Sequence, residues 1–125
     1  MLRHLTRTGA TAALALTLLA TVNVAGALAH VSFVSSNPAP NSSARRGPSV
    51  VRVLFSGPIR GGGLTVVAAN GKTVSAPGGG RDPRNINRLA VGLRGRLASG
   101  AYTVRWYVQA ADGHRETGSF RFRVR

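Results

Sequence analysis

Hydrophobic and polar residues alternate through most of the chain after residue 30. The alternation is clearest at 50–56, 101–109 and 118–124, where Val, Tyr, Trp or Phe fill every second position and Arg or Thr is frequent between them. A period of two places one set of side chains in the interior and the other in solvent, as in half-buried antiparallel strands. No segment after residue 30 has the apolar stripe of a helix. The pattern predicts seven strands, at 31–35, 50–56, 64–69, 72–75, 88–93, 101–109 and 118–124.

Glycine and proline separate these segments and indicate the turns between them. Asn70-Gly71 predicts a hairpin turn between the third and fourth strands. Residues 76–87, with three glycines and two prolines, are expected to form a flexible loop. Seven short strands predict an all-β fold, a small Greek-key β-sandwich of the Ig-like or cupredoxin-like kind. Its core is expected to be dominated by Trp106, Phe55, Phe120 and Phe122.

The first 29 residues have the organisation of a cleavable Sec-type signal peptide. Arg3 and Arg7 form a basic start, residues 8–29 carry no charge, and Ala27-Leu28-Ala29 is a small-x-small cleavage sequence. A retained membrane anchor is the alternative, although the strongly apolar part is short for a membrane span. Cleavage after Ala29 would leave one domain at 30–125 in the periplasm, the cell envelope or the medium, and we expect a monomer there.

Charge and cysteine content narrow the classes of function. Two of the 17 Lys and Arg residues lie in the first 29 positions and all three acids lie after them, so residues 30–125 carry a net charge of +12. The arginines are spread along the chain without a basic run interleaved with aromatics, so we expect no nucleic-acid partner, and no membrane contact beyond the signal peptide. The chain has no cysteine, which excludes disulfides, a cysteine nucleophile and a blue-copper thiolate site.

The remaining chemistry is that of metal ligands. There is no Gly-x-Ser-x-Gly motif, and three acids are too few to suggest a carboxylate-pair hydrolase, so we expect no enzymatic activity. Cleavage would give His30 a free α-amine beside its imidazole, and both groups release a proton readily to a metal. Asp112 and His114, in Asp-Gly-His, are expected to project to one face of an extended segment. Three nitrogens and one oxygen suit Cu(II), with tetrahedral Zn(II) as the alternative.

Two long segments resemble the CopC-type periplasmic copper-binding proteins. They are HVSFVSSNPAPNSSARRGPSVVRVLFSGPI at 30–59 and LASGAYTVRWYVQAADGHRETGSFRFRV at 97–124. The resemblance implies a Greek-key sandwich that binds Cu(II) through His30, Asp112 and His114. It also implies a role in copper resistance, buffering or delivery, with a CopD-type membrane transporter as a partner.

The chain departs from the family pattern in three places. It has no counterpart of the Met-rich loop that binds Cu(I) in some members, since Met1 is its only methionine. Gly57 stands where many members carry an acid, and Val31 and Phe33 replace the commoner Ala and Leu.

Two other functions stay open on the sequence. One is a copper monooxygenase that chelates its metal with an N-terminal histidine. The other is a metal-free Ig-like module that binds anionic polymers through arginine.

Overall fold

The computed structural model describes residues 30–125; the signal peptide predicted at 1–29 lies outside the described residues. The described part consists of strands and the turns that join them. No helix in it is long and apolar enough to cross a membrane.

Eight strands form two four-stranded sheets that pack face to face as a β-sandwich. The first sheet has the order β1-β3-β6-β5 and the second the order β2-β8-β7-β4. All neighbouring strands are antiparallel except β2 and β8, which are parallel. The strands are β1 (Phe33–Asn37), β2 (Ser43–Ala44), β3 (Val50–Phe55), β4 (Ile59–Ala68), β5 (Gly80–Arg81), β6 (Arg88–Gly92), β7 (Gly100–Ala110) and β8 (Arg115–Val124).

The predicted all-β sandwich is confirmed, with differences at the level of single strands. β4 begins at Ile59 rather than at residue 64, because Gly61–Gly63 pair with β7 although glycine gives no apolar signal. The strand predicted at 72–75 is wrong: Thr73 and Ser75 form only isolated bridges. The two-residue strands β2 and β5 are too short to show a period of two, and the sequence pattern did not predict them.

Alternate residues of the long strands fill the space between the sheets. Phe55 and Phe122 are 1% exposed, and Val51, Val53, Val66, Leu89, Val104 and Val108 are fully buried with them. Trp106 and Phe120 lie at the margin of this core, partly buried against it. The predicted aromatic core is therefore correct in membership, but two of its four members lie at the margin and not at the centre.

The segment 76–87 does not fit the expectation of a loop that neither packs nor pairs. It contains β5, which pairs with β6, and Asp82, whose side chain is 8% exposed. The Asp82 carboxylate accepts hydrogen bonds from the Arg84 backbone N–H and from the Arg88 side chain, each at 2.9 Å. One buried carboxylate thus organises a segment in which glycine and proline dominate the composition.

Candidate metal centre

Asp112 and His114 lie in the turn that joins β7 to β8. The Ala110 N–H donates to the His114 carbonyl at 2.8 Å, and the Gly113 N–H donates to the Ala110 carbonyl at 3.0 Å. Gly113 has a φ of +89°, a left-handed conformation that glycine adopts without a steric cost. Residues 111–113 thus form a three-residue loop whose last residue, Gly113, is left-handed, and such loops commonly close a hairpin. The Asp-Gly pair therefore has a structural role independent of any ligand.

Both carboxylate oxygens of Asp112 accept hydrogen bonds from His114. Oδ1 lies 3.0 Å from the His114 backbone N, and Oδ2 lies 2.8 Å from the His114 ring Nδ1. The backbone hydrogen bond, followed by the one from the ring, holds the pKa of the Asp112 carboxyl below its ordinary value of 3.8. The sequence prediction that these two residues meet agrees with the structure, but its reason was wrong. They meet through a side chain that bends back within a turn, not along one face of an extended segment.

The contact with Asp112 determines which ring nitrogen of His114 is available. A neutral imidazole that donates from Nδ1 carries its lone pair on Nε2, and a carboxylate on Nδ1 fixes the orientation of the ring. The His114 side chain is 63% exposed, so Nε2 is accessible to an incoming ion. The pair has the arrangement of a carboxylate-oriented histidine ligand.

Ser56 fastens the start of the described chain to the end of β3. Its hydroxyl accepts a hydrogen bond from the Ser32 N–H at 2.9 Å and donates to the His30 carbonyl at 3.3 Å. The Ser56 N–H in turn donates to the Ser32 carbonyl at 2.8 Å. These bonds position the backbone next to His30. The sequence did not identify Ser56 as part of this end, because its contacts are with residues 24 and 26 positions away in the chain.

The register of the strands brings this segment and the turn to the same end of the sandwich. β3 ends at Phe55, directly before Ser56, and β4 then begins at Ile59, which pairs with Ala110 at the end of β7. We call this end, comprising residues 30–32, 56–58 and 111–114, the turn end. His30 is exposed there and is not part of the Asp112–His114 pair. Among residues 30–125, no group of three or more His, Cys, Asp or Glu side chains is assembled as a metal site.

Four aromatic rings connect β1 to the second sheet just behind the turn end. Trp106 packs edge-on against Phe55 with 4.9 Å between ring centroids, and Phe33 lies 6.5 Å from Trp106 and 6.0 Å from Phe120. Gly118 pairs with Trp106 across β7 and β8, and a side chain there would overlap the indole ring. This contact anchors Phe33, and through it the segment that carries His30.

The same turn occurs once more at the opposite end of the molecule. In Ala68-Ala69-Asn70-Gly71-Lys72 the Gly71 N–H donates to Ala68 at 2.9 Å, and the Lys72 N–H donates to Asn70 Oδ1 at 2.9 Å. Gly71 has a φ of +86°. The two turns share their backbone hydrogen bonds and the side-chain cap. Only the carboxylate and the imidazole distinguish the turn at 111–114.

Comparison with known proteins identifies a family that matches most of the chain. The model of the CopC domain family matches residues 33–125. Protein YobA of Escherichia coli K12 is 27% identical over 99 residues, which cover 78% of this chain and 80% of that protein.

Two solved structures share the fold. PcoC, described as a methionine-rich copper resistance protein from Escherichia coli, superposes with a TM-score of 0.61 at 25% identity and covers 78% of this chain and all of that one. CopC from Methylosinus trichosporium OB3b gives a TM-score of 0.64 at 23% identity, covering 76% of this chain and 93% of that chain.

Proposed function

Since the chain belongs to the CopC domain family, we propose that it is an exported protein that binds Cu(II) and buffers the ion or delivers it to a membrane transporter. The observation that carries the proposal is the Asp112–His114 pair at the turn end, where Ser56 also holds the backbone of His30. The similarity in fold to the copper resistance protein PcoC also supports the proposal.

The proposed ligands are the His30 α-amine and imidazole, the His114 ring and an oxygen of Asp112. Because the Asp112 carboxylate lies on the Nδ1 side of the ring, binding of one ion by both residues requires this hydrogen bond to open. In the uncut chain the backbone nitrogen of His30 belongs to the peptide bond with Ala29. The α-amine ligand therefore exists only after cleavage following Ala29. Because Ser56 bonds to the His30 carbonyl and the Ser32 N–H, the backbone on one side of His30 is already positioned before copper arrives. The His30 side chain and the new terminus would turn toward the pair when copper binds.

The donor chemistry favours Cu(II) as the cargo. Imidazole and amine nitrogens with one carboxylate oxygen suit a tetragonal ion, and Cu(II) binds such ligands more tightly than the other divalent ions of its row. After cleavage no methionine or cysteine would remain to hold Cu(I). We therefore propose a monomeric carrier of oxidised copper in the periplasm or cell envelope, acting without catalysis and beside a CopD-type transporter.

The test compares three forms of the protein that differ only at the N-terminus. One form begins at His30, a second is the same form acetylated at its α-amine, and a third begins at Gly26. The four-residue extension avoids an amine placed one or two residues before the histidine, which could itself chelate Cu(II) through peptide nitrogens. Competition with a chromogenic Cu(II) chelator gives the affinity and the stoichiometry of each form.

We expect one Cu(II) per chain for the His30 form. Both blocked forms should bind more weakly by over about a hundredfold, the upper end of what loss of a supporting residue costs a metal site. Equal affinity in all three forms would remove the α-amine from the ligand set. Failure of the His30 form to bind Cu(II) would refute the proposed function.

A further inference from the structure

Four of the fourteen arginines in residues 30–125 lie together on one surface of the folded chain. Exposure alternates along β7 and β8, so that their odd-numbered residues point away from the core. Pairing of the two strands sets these residues side by side, with Arg121 opposite Thr103 and Arg105 opposite Ser119. We call the outward surface of β7 and β8 the cationic face; its exposed arginines are Arg105, Arg115, Arg121 and Arg123.

No acid neutralises this face. Within residues 30–125 the ion pairs are Arg88 with Asp82 and His114 with Asp112, and both lie elsewhere. Glu116 is on β8 but alternates to the opposite side of the strand from the exposed arginines. Four unpaired guanidinium groups on one sheet surface generate a positive potential that attracts an anionic partner.

The outer surface of the first sheet differs in character. It presents Val50, Leu54 and Ala90 together with Arg52 and Arg88, all half-buried, and Arg88 is paired with Asp82. Its central strands β3 and β6 thus carry no exposed arginine, in contrast to β7 and β8.

Two recesses adjoin the arginines of the cationic face. One, of about 270 Å³, is lined by Arg121, Arg123, Ser42 and Asn41, with the small side chain of Ala101 among them. A larger one, of about 710 Å³, is lined on one side by Arg105, Arg121, Thr103 and Ser119 and on the other by the aromatic residues Phe33, Trp106 and Phe120. Guanidinium groups next to hydroxyl and amide donors are the groups that bind phosphate oxygens.

We propose that the cationic face docks on the phosphate headgroups of an anionic phospholipid bilayer. An antiparallel strand rises by about 3.4 Å per residue, so the eight steps from Arg115 to Arg123 extend the face over roughly 27 Å, a broad surface suited to a planar partner. Docking replaces the sequence expectation that the processed protein makes no membrane contact. It depends on the arginines alone and not on the proposed copper site.

The aromatic content of the face argues against a single-stranded nucleic acid. Such a partner binds by stacking its bases on open aromatic rings. Tyr107 is the one aromatic residue on the face, and the Arg115 guanidinium lies 4.2 Å from its ring centroid. The ring also leans over Gly63, where a side chain would overlap it. Charge without stacking fits a bilayer surface better than a single strand that must be held by its bases.

The geometry links docking to the turn end. Arg115 follows His114 directly, and the turn closes the same hairpin whose outer surface is the cationic face. A hairpin lying along the headgroups would hold the turn that carries Asp112 and His114 close to the membrane surface. An ion released from that pair would then start close to a transporter in the same membrane.

The test measures partition onto lipid vesicles in the presence of a metal chelator, using protein exported and processed by the expressing cell. Sedimentation with phosphatidylglycerol–phosphatidylcholine vesicles is compared with sedimentation on pure phosphatidylcholine, at low and high salt. We expect binding only to the anionic vesicles, weakened by salt. Replacing Arg105, Arg121 and Arg123 by Gln should lower the partition coefficient on the order of a hundredfold, since each basic residue near an anionic surface contributes about a fivefold step.

A control variant of equal net charge keeps the test specific. It carries Gln at Arg84, Arg94 and Arg96, which are exposed outside the cationic face, and it should retain most of the binding. A variant with Lys at Arg105, Arg121 and Arg123 should bind like the unmodified protein, and circular dichroism verifies the fold of each variant.

Three results would overturn the proposal. They are equal loss in the face and control variants, no binding to anionic vesicles, and binding to soluble dextran sulfate without binding to vesicles. The last would assign the face to an anionic polymer.

Discussion

Asp112 has two roles, one in the stability of the turn and one in the orientation of a metal ligand. Its carboxylate caps the turn through the His114 N–H and orients the His114 ring. Asn70 performs the first role in the equivalent turn at the other end of the sandwich, where there is no imidazole to orient. The molecule therefore contains its own control for separating turn stability from metal chemistry.

We predict that Asp112→Asn weakens Cu(II) binding by roughly tenfold to a hundredfold while leaving stability nearly unchanged. The amide retains an oxygen that caps the turn, as Asn70 shows, but removes the negative charge facing the metal. The measurement is the Cu(II) dissociation constant, with the free energy of unfolding in urea. The reciprocal change Asn70→Asp serves as the control and should leave copper affinity intact. Unchanged copper affinity in Asp112→Asn would exclude the carboxylate as a ligand or orienting group.

At the scale of strands, the contact between Trp106 and Gly118 joins β7, β8 and β1. The indole covers Gly118 and touches Phe55 and Phe33, which belong to the other sheet. The alternation of β8 predicts an inward residue at 118, but only the register explains why it must be glycine. Such a contact joins residues distant in sequence, so neither strand pattern contains it.

Gly118→Ala should destabilise the protein by about 1–3 kcal/mol, because the added methyl group forces the indole out of its place. Gly61→Ala is the matched control, since a side chain at that strand glycine meets no atom within 4 Å, and we expect a change within about 0.5 kcal/mol. Urea denaturation gives both values. Trp106 is the only tryptophan, so its emission spectrum reports the displacement directly. Equal stability of the two variants would contradict the packing argument.

Also at this scale, the sequence predicted the long strands and the turns better than the short strands. β3, β6, β7 and β8 alternate over five residues or more and were found within a few residues of their bounds. β2 and β5 exist because neighbouring strands offer unpaired backbone groups, a condition that no local pattern records. The segment 76–87 was expected to be flexible because of its glycine and proline content. That expectation missed the burial of Asp82, which depends on Arg88 in the following strand.

For the molecule as a whole, stability must come from the core and from a few polar ties, because no disulfide is available. Asp82 is the principal buried acid. Its hydrogen bond from the Arg84 N–H, and then that from Arg88, hold the pKa of its carboxyl below the ordinary 3.8 despite the opposing effect of burial. A depressed carboxyl pKa stabilises the folded state above the unfolded value, and this contribution disappears as the pH falls through the folded one.

We therefore predict that stability falls as the pH drops below about 5, and that Asp82→Asn reduces this dependence. The variant should be less stable than the unmodified protein at neutral pH and approach it in acid. Thermal melts between pH 7 and pH 3 measure both effects. Arg84→Gln is the control, since Arg84 contacts Asp82 through its backbone and should keep the pH dependence. A parallel decline of Asp82→Asn and the unmodified protein would show that Asp82 does not contribute.

The candidate site was predictable from the sequence only as a set of residue types. His30, Asp112 and His114 stood out because few residues of the chain can bind a metal, and because an aminoterminal histidine would chelate. The bend of the Asp112 side chain onto the His114 ring and the fastening of His30 by Ser56 from a distant strand were not predictable from the pattern of residues. The same applies to the cationic face, where pairing of β7 with β8 sets Arg105 beside the arginines of β8.

The sequence by itself determined the all-β class, the long strands, the hairpin turns and the identity of the candidate ligands. These follow from local rules, namely a period of two in side-chain direction, the conformational freedom of glycine and the chemistry of each side chain. The tertiary structure alone decided the margin position of Trp106, the burial of Asp82, the fastening of His30 by Ser56 and the formation of the cationic face. The contacts of Trp106 and His30 join strands that are far apart in the chain, Asp82 is held by the strand that follows it, and the cationic face depends on the register of β7 with β8. Local side-chain rules do not contain these pairings, which packing across the core fixes.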